Sequence, residues 1–60
     1  MQEYVANEVS QQQEVFSCVE KWDYVEKRYI EMKGEVYPTF EAAQERARQL
    51  NEENRIVENN

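Results

Sequence analysis

The sequence predicts an α+β fold: a small antiparallel β-hairpin or three-stranded sheet packed against one C-terminal α-helix. Three observations lead there. From Phe40 the apolar residues recur as Ala43, Ala47 and Leu50, at spacings of 3, 4 and 3, the stripe of an amphipathic helix. Two earlier stretches, "VFSCVEKW" and "KRYIEM", are dense in β-branched and aromatic residues, which suit a pleated, half-buried surface. Between them and the helix stand the lone glycine and the lone proline, Gly34 and Pro38, the strongest local breaks in the chain.

The helix is the clearest element. Pro38 disfavours a helical conformation at Tyr37, and Thr39 can cap the free amides of the first turn. Glu41 there suits the helix dipole, while Glu45 with Arg48, and Arg48 with Glu52, are spaced to pair along the outer side. Asn51 and Asn54 are weak helix formers, so the helix is placed at 40–54.

Residues 15–33 admit two readings. As strands, alternate positions put Phe16, Cys18 and Trp22 on one face and Ile30 with Met32 on one face of the next. A turn at "KGEV" and a third short strand "EVY" then lead into the helix, and Phe16 and Trp22 rest on its alanine stripe as core residues. As a helix, Val15, Cys18, Trp22, Val25, Tyr29 and Met32 repeat at 3, 4, 3, 4 and 3, with Gly34 as a C-terminal cap, giving an all-α two-helix hairpin. The strand reading is preferred, although the turn through "DYVEK" lacks the usual glycine or asparagine.

Residues 1–14, "MQEYVANEVSQQQE", have a thin apolar pattern and read as a mobile acidic arm or short helix. The single small domain spans 15–56, and 57–60 form a tail. Sixty residues bury only ~60% of the surface an unfolded chain exposes, so stability is marginal and a partner is expected. One cysteine and no histidine exclude an internal disulfide and disfavour a structural metal. A homodimer is therefore expected, or docking onto another protein.

The segment "RYIEMKGEVYPTFEAAQERARQLN", residues 28–51, resembles a pattern found in many small bacterial and phage proteins: a hairpin, then "TF", then an alanine-bearing helix ending in "LN". The resemblance implies a topology and carries no functional residue with it.

Catalysis is poorly supplied. There is no histidine to act as base, Ser10 and Ser17 are the only serines, and Asp23 is the only aspartate; the single glycine excludes a phosphate-cradling loop. Glu41 and Glu45 share a helix face, the ordinary arrangement of solvated helix surface. We expect no enzyme, no catalytic residue, no cofactor and no metal. Cys18, set among apolar neighbours, reads as an inert buried thiol.

The net charge of −6 is concentrated at the ends. Glu3, Glu8 and Glu14 have no base among the first fourteen residues, and Glu52, Glu53 and Glu58 meet only Arg55, whereas 15–51 holds seven acids against six bases. Lys21, Lys27, Arg28 and Lys33 lie among aromatics, the composition of a single-stranded nucleic-acid surface, but each has acidic neighbours and the ends repel phosphate, so nucleic acid is disfavoured.

What remains is a small cytoplasmic binding module, a regulator or inhibitor that occupies a basic surface of a larger protein or complex. A phage protein directed at a host or defence complex is one setting. The alternatives are a structural or assembly subunit and a single-stranded nucleic-acid binder. No stretch has the ~20 apolar residues of a membrane span. Tyr24, Lys27, Arg28 and Tyr29 are the expected partner-binding residues, because rigid aromatics and arginine concentrate binding energy.

Overall fold

A computed structural model describes residues 2–58. Strands β1 (Tyr4–Gln11), β2 (Glu14–Asp23) and β3 (Arg28–Tyr37) are followed by helix α1 (Phe40–Glu58). The strands form one antiparallel sheet in the order β1-β2-β3, and α1 covers one of its faces. The α+β expectation with three strands and a C-terminal helix therefore holds, and the two-helix alternative does not. Of the tail expected at 57–60, residues 59 and 60 lie outside the described residues.

Three details differ from the sequence reading. Residues 4–11, expected as a mobile arm or short helix, form β1, hydrogen-bonded to β2 from Tyr4↔Lys21 to Gln11↔Glu14. A weak apolar pattern suffices here because the neighbouring strand supplies the backbone partners and α1 supplies cover for alternate residues. The chain reverses through Gln12 and Gln13, whose φ angles are 51° and 69°. Both central residues at positive φ make the tight hairpin that usually recruits asparagine and glycine.

Gly34 is not a turn between two strands. It lies inside β3 at φ 86°, in an interruption of the ladder: Cys18 pairs with Val36 and Glu20 with Glu31, so residues 32–35 stand opposite Val19 alone. Surplus residues make a bulge, which bends the strand and leaves an irregular edge. A Cβ at Gly34 would meet nothing within 4 Å, so glycine is needed there for its backbone angle and not for space.

The third difference concerns the core. The buried apolar cluster beneath α1 is formed by Tyr4, Val19, Ala43 and Ala47, with Ala6, Met32, Tyr37 and Leu50 packed around them. Phe16 and Trp22, expected beneath the helix, alternate with Ser17 and Val19 and so fall on the opposite face. The reason lies in β1: once that strand is present, α1 rests mainly over β1 and β2, and the face built from Tyr4, Ala6 and Val19 fits it. Ala43 and Ala47 allow close approach, and full burial of Val19, at 0% exposure, is worth roughly 1.5–3 kcal/mol.

The ends of α1 are anchored by polar contacts. Thr39 Oγ1 accepts the Ala42 N–H at 3.1 Å, the expected N-cap. Arg48 pairs with Glu45 and Glu52 as the spacing predicts. The helix runs four residues beyond the expected end at 54, because Asn51 and Asn54 do not end it: their side chains face β1. Asn51 Oδ1 accepts the Tyr4 N–H at 3.0 Å and its Nδ2 donates to the Tyr4 carbonyl at 2.9 Å. Asn54 Nδ2 donates to Glu3 Oε2 at 3.3 Å. At the bulge, Glu35 Oε1 accepts from Tyr37 O–H at 2.6 Å and from Arg46 Nε at 3.1 Å, joining β3 to α1.

Candidate functional site

Two surfaces stand out, the face of the sheet that α1 leaves open and the β2–β3 turn at its end. The turn is organised by Asp23. Its Oδ1 accepts the N–H groups of Val25 at 2.8 Å and Glu26 at 3.0 Å, and its carbonyl accepts the Lys27 N–H at 2.8 Å. Aspartate can thus reverse the chain without glycine. These N–H donors, Glu26 first and Val25 next, hold the Asp23 carboxyl below its ordinary pKa. Lys27 closes the turn at φ 58°.

The turn carries Tyr24 and Val25 into solvent, 70% and 91% exposed. Behind them the rings of Trp22 and Tyr29 meet edge to face with centroids 5.0 Å apart, and Tyr24 meets Trp22 at 6.5 Å. Tyr29 O–H donates to the Gln2 carbonyl at 2.7 Å, fixing that ring over the start of β1. Of the expected partner-binding residues, Tyr24, Lys27 and Arg28 sit at or beside the turn, and Arg28 lies 3.8 Å from Glu26. Tyr29 belongs with Trp22 to the sheet face. The four therefore lie at one end of the molecule, Tyr24 and Tyr29 both packing on Trp22.

The open face follows from register and alternation. Its cross-strand rows are Val9 with Phe16, then Asn7 with Cys18 and Val36, then Val5 with Glu20 and Glu31, then Trp22 with Tyr29. An antiparallel sheet with one solvated face ordinarily turns polar side chains outward. Here Val5, Val9, Phe16, Trp22, Tyr29 and Val36 lie on the uncovered side. The paired positions on this face also include Glu14, Glu20 and Glu31, and no lysine or arginine.

Cys18 lies at the centre of the face but is itself fully buried. Burial, then the Glu31 and Glu20 carboxylates, push its thiol pKa up, so the thiolate is disfavoured, as its apolar neighbours suggest. Sequence reasoning missed the face because Phe16 and Trp22 were placed in the core. The signal was the Val5, Val9 alternation, which becomes visible once residues 4–11 are read as a strand.

Other features bear less on function. The groove between β1 and α1 is lined by Tyr4, Phe40, Gln44, Arg48 and Asn51, and the Arg48 guanidinium is already engaged by Glu45 and Glu52. Among the described residues no group of three or more His, Cys, Asp or Glu is placed to hold a metal, and no helix is long and apolar enough to cross a membrane. Comparison of the chain with protein-family models, curated proteins and solved structures finds no match.

Proposed function

We propose that the protein is a binding module that lays the open face of its sheet on a larger protein and acts by covering that surface, as a regulator or inhibitor. The observation that carries this reading is the apolar set on the uncovered face, from Val9 and Phe16 at one end to Trp22 and Tyr29 at the other. Aromatic residues on a rigid sheet lose little entropy on binding and concentrate interface energy. Tyr24 and Val25 extend the surface past the sheet, with Lys27 and Arg28 at its rim. The acidic positions favour a basic partner, so association slows as salt rises, and they disfavour nucleic acid.

The test is capture from cell extract on the immobilised protein, comparing wild type with Phe16→Asp and with Gln44→Ala on α1. A protein retained by wild type and Gln44→Ala but lost from Phe16→Asp supports the reading. Equal retention by all three overturns it, as does retention of single-stranded nucleic acid at physiological salt. If the protein retains only itself, the assembly-subunit reading takes its place.

A homodimer is the second reading, favoured by the edge of β1. Trp22 N–H donates to the Glu3 carbonyl at 2.8 Å, which sets the phase of the ladder. The even-numbered residues of β1 then direct their N–H and C=O groups away from β2. Asn51 takes up those of Tyr4, whereas those of Ala6, Glu8 and Ser10 line the outer edge. A second copy pairing there would extend the sheet to six strands. Dimerisation through the open face would instead bring four carboxylates, two copies of Glu20 and Glu31, into one interface. Light scattering across a hundredfold range of concentration tests the dimer, and a monomer mass throughout rejects it.

A further inference from the structure

We propose that the open face takes its partner through an arginine side chain held between Glu20 and Glu31, with apolar residues of the partner on either side. The inference rests on the docking reading above and names the chemistry of the occupant.

Glu20 and Glu31 are direct cross-strand partners. Because the odd residues of β1 exchange backbone hydrogen bonds with the even residues of β2, the Trp22 N–H to Glu3 carbonyl bond being the visible case, Glu20 turns its backbone groups toward β1. Toward β3 it therefore forms a narrow, non-hydrogen-bonded pair, in which side chains come closest. Like charges so placed destabilise a sheet.

No ion pair among the described residues relieves them. Among the described residues the ion pairs are Lys21–Glu3, Arg28–Glu26, Arg46–Glu35 and Arg48 with Glu45 and Glu52. Asn7 Nδ2 donates to Glu20 at 3.1 Å, and none of these ion pairs involves Glu20 or Glu31. The pair is also bracketed by apolar surface, with Trp22 and Tyr29 in the next row on one side and Cys18 and Val36 on the other.

A guanidinium fits this setting better than an ammonium. It is planar and weakly hydrated, it can donate to two carboxylates at once, and it stacks on aromatic rings of the kind Trp22 and Tyr29 present. Successive residues on one face of a strand are roughly 7 Å apart. Apolar residues about that far to either side of the arginine would meet Trp22 and Tyr29 on one side and the row of Cys18 and Val36 on the other. The occupant is thus a protein segment with an arginine flanked by apolar side chains.

The test uses the full chain, labelled with nitrogen-15, and two probe peptides, acetyl-Leu-Ser-Arg-Ser-Leu-amide, which sets the apolar residues on the arginine's side of an extended segment, and the same peptide with citrulline for arginine. Citrulline keeps the shape and removes the charge. The expected result is saturable shifts of the Glu20, Trp22 and Glu31 amides with the arginine peptide, binding about tenfold tighter than the citrulline peptide. In Glu20→Gln/Glu31→Gln that difference disappears, and the free protein melts at a higher temperature than wild type because the repulsion is gone. Single Glu20→Gln is expected to fall between the two.

Equal binding of the peptides overturns the proposal. So does absence of shifts at up to about 10 mM peptide, or shifts confined to the acidic ends at Glu3, Glu8, Glu52 and Glu53. A partner captured from extract that is lost with Phe16→Asp but kept with Glu20→Gln/Glu31→Gln would sink the arginine and leave the docking reading standing.

Discussion

The side-chain amide of Asn51 pairs with both backbone groups of Tyr4, accepting its N–H at 3.0 Å and donating to its carbonyl at 2.9 Å. A residue on a helix thereby takes the place that a further strand would hold at the edge of the sheet. Forty-seven residues separate the two in sequence, so this contact links the first element of the fold to the last.

Asn51→Ala is expected to destabilise the protein by about 1–2 kcal/mol, since it removes two hydrogen bonds and leaves the Tyr4 groups to find water at a half-buried site. Urea denaturation measures the loss. Amide exchange gives a local check: the Tyr4 N–H is protected in wild type and exchanges faster in the variant. If the Tyr4 protection is unchanged, the pairing is not the anchor of β1.

The β1–β2 turn holds Gln12 and Gln13 at positive φ, a conformation that costs a residue with a Cβ about 1 kcal/mol or more. Gln13→Gly is therefore expected to stabilise the protein by about 0.5–1 kcal/mol, net of glycine's larger entropy loss. A lower urea midpoint in Gln13→Gly would show that the turn is not of this kind.

Acid sensitivity is expected at Glu35. The Tyr37 hydroxyl and then the Arg46 guanidinium hold its carboxyl below the ordinary value of 4.5. A group whose pKa is lower in the folded state binds fewer protons there. Its contribution to stability is thus complete above about 4.5 and is lost as pH falls through the depressed folded value. Melting temperatures between about pH 6 and pH 2 are expected to fall less steeply in Glu35→Gln than in wild type. The same bond raises the Tyr37 pKa above its usual 10, so its contribution disappears only as the pH rises through that raised value.

Core and face residues are expected to separate by their effects. Val19→Ala, at a fully buried site, should cost about 2 kcal/mol, a large share of the stability of so small a domain. Trp22→Ala and Phe16→Ala remove side chains from the open face, so each should cost less than about 1.5 kcal/mol in stability and more than ~1 kcal/mol in partner binding. Tyr29→Ala belongs with them. Arg28→Ala, at the rim beside Glu26, should change the salt dependence of association more than the affinity. Denaturation and calorimetric titration on the same variants distinguish the two groups.

The α1 stripe of Ala43, Ala47 and Leu50, the Thr39 cap and the Arg48 ion pairs were legible in the sequence because each depends on residues within one or two helical turns. Strand character in 15–33 was legible for a related reason: β-branched and aromatic residues suit a pleated surface whatever lies beside it. The buried, inert state of Cys18 also followed from its immediate neighbours.

Only the tertiary structure decided which side of that sheet is covered. An alternating strand presents two faces, and a sequence in which Phe16 and Trp22 alternate with Ser17 and Val19 does not say which of them meets the helix. The choice depended on β1, whose Tyr4 and Ala6 complete the covered face. β1 itself was invisible locally, because its turn lacks glycine and its backbone partners lie in β2 and on Asn51. Asn51 shows the same limit from the other direction. Its helix propensity is a property of one residue and suggested an early end to α1, whereas its two bonds to Tyr4 exist only once the ends of the chain have been brought together.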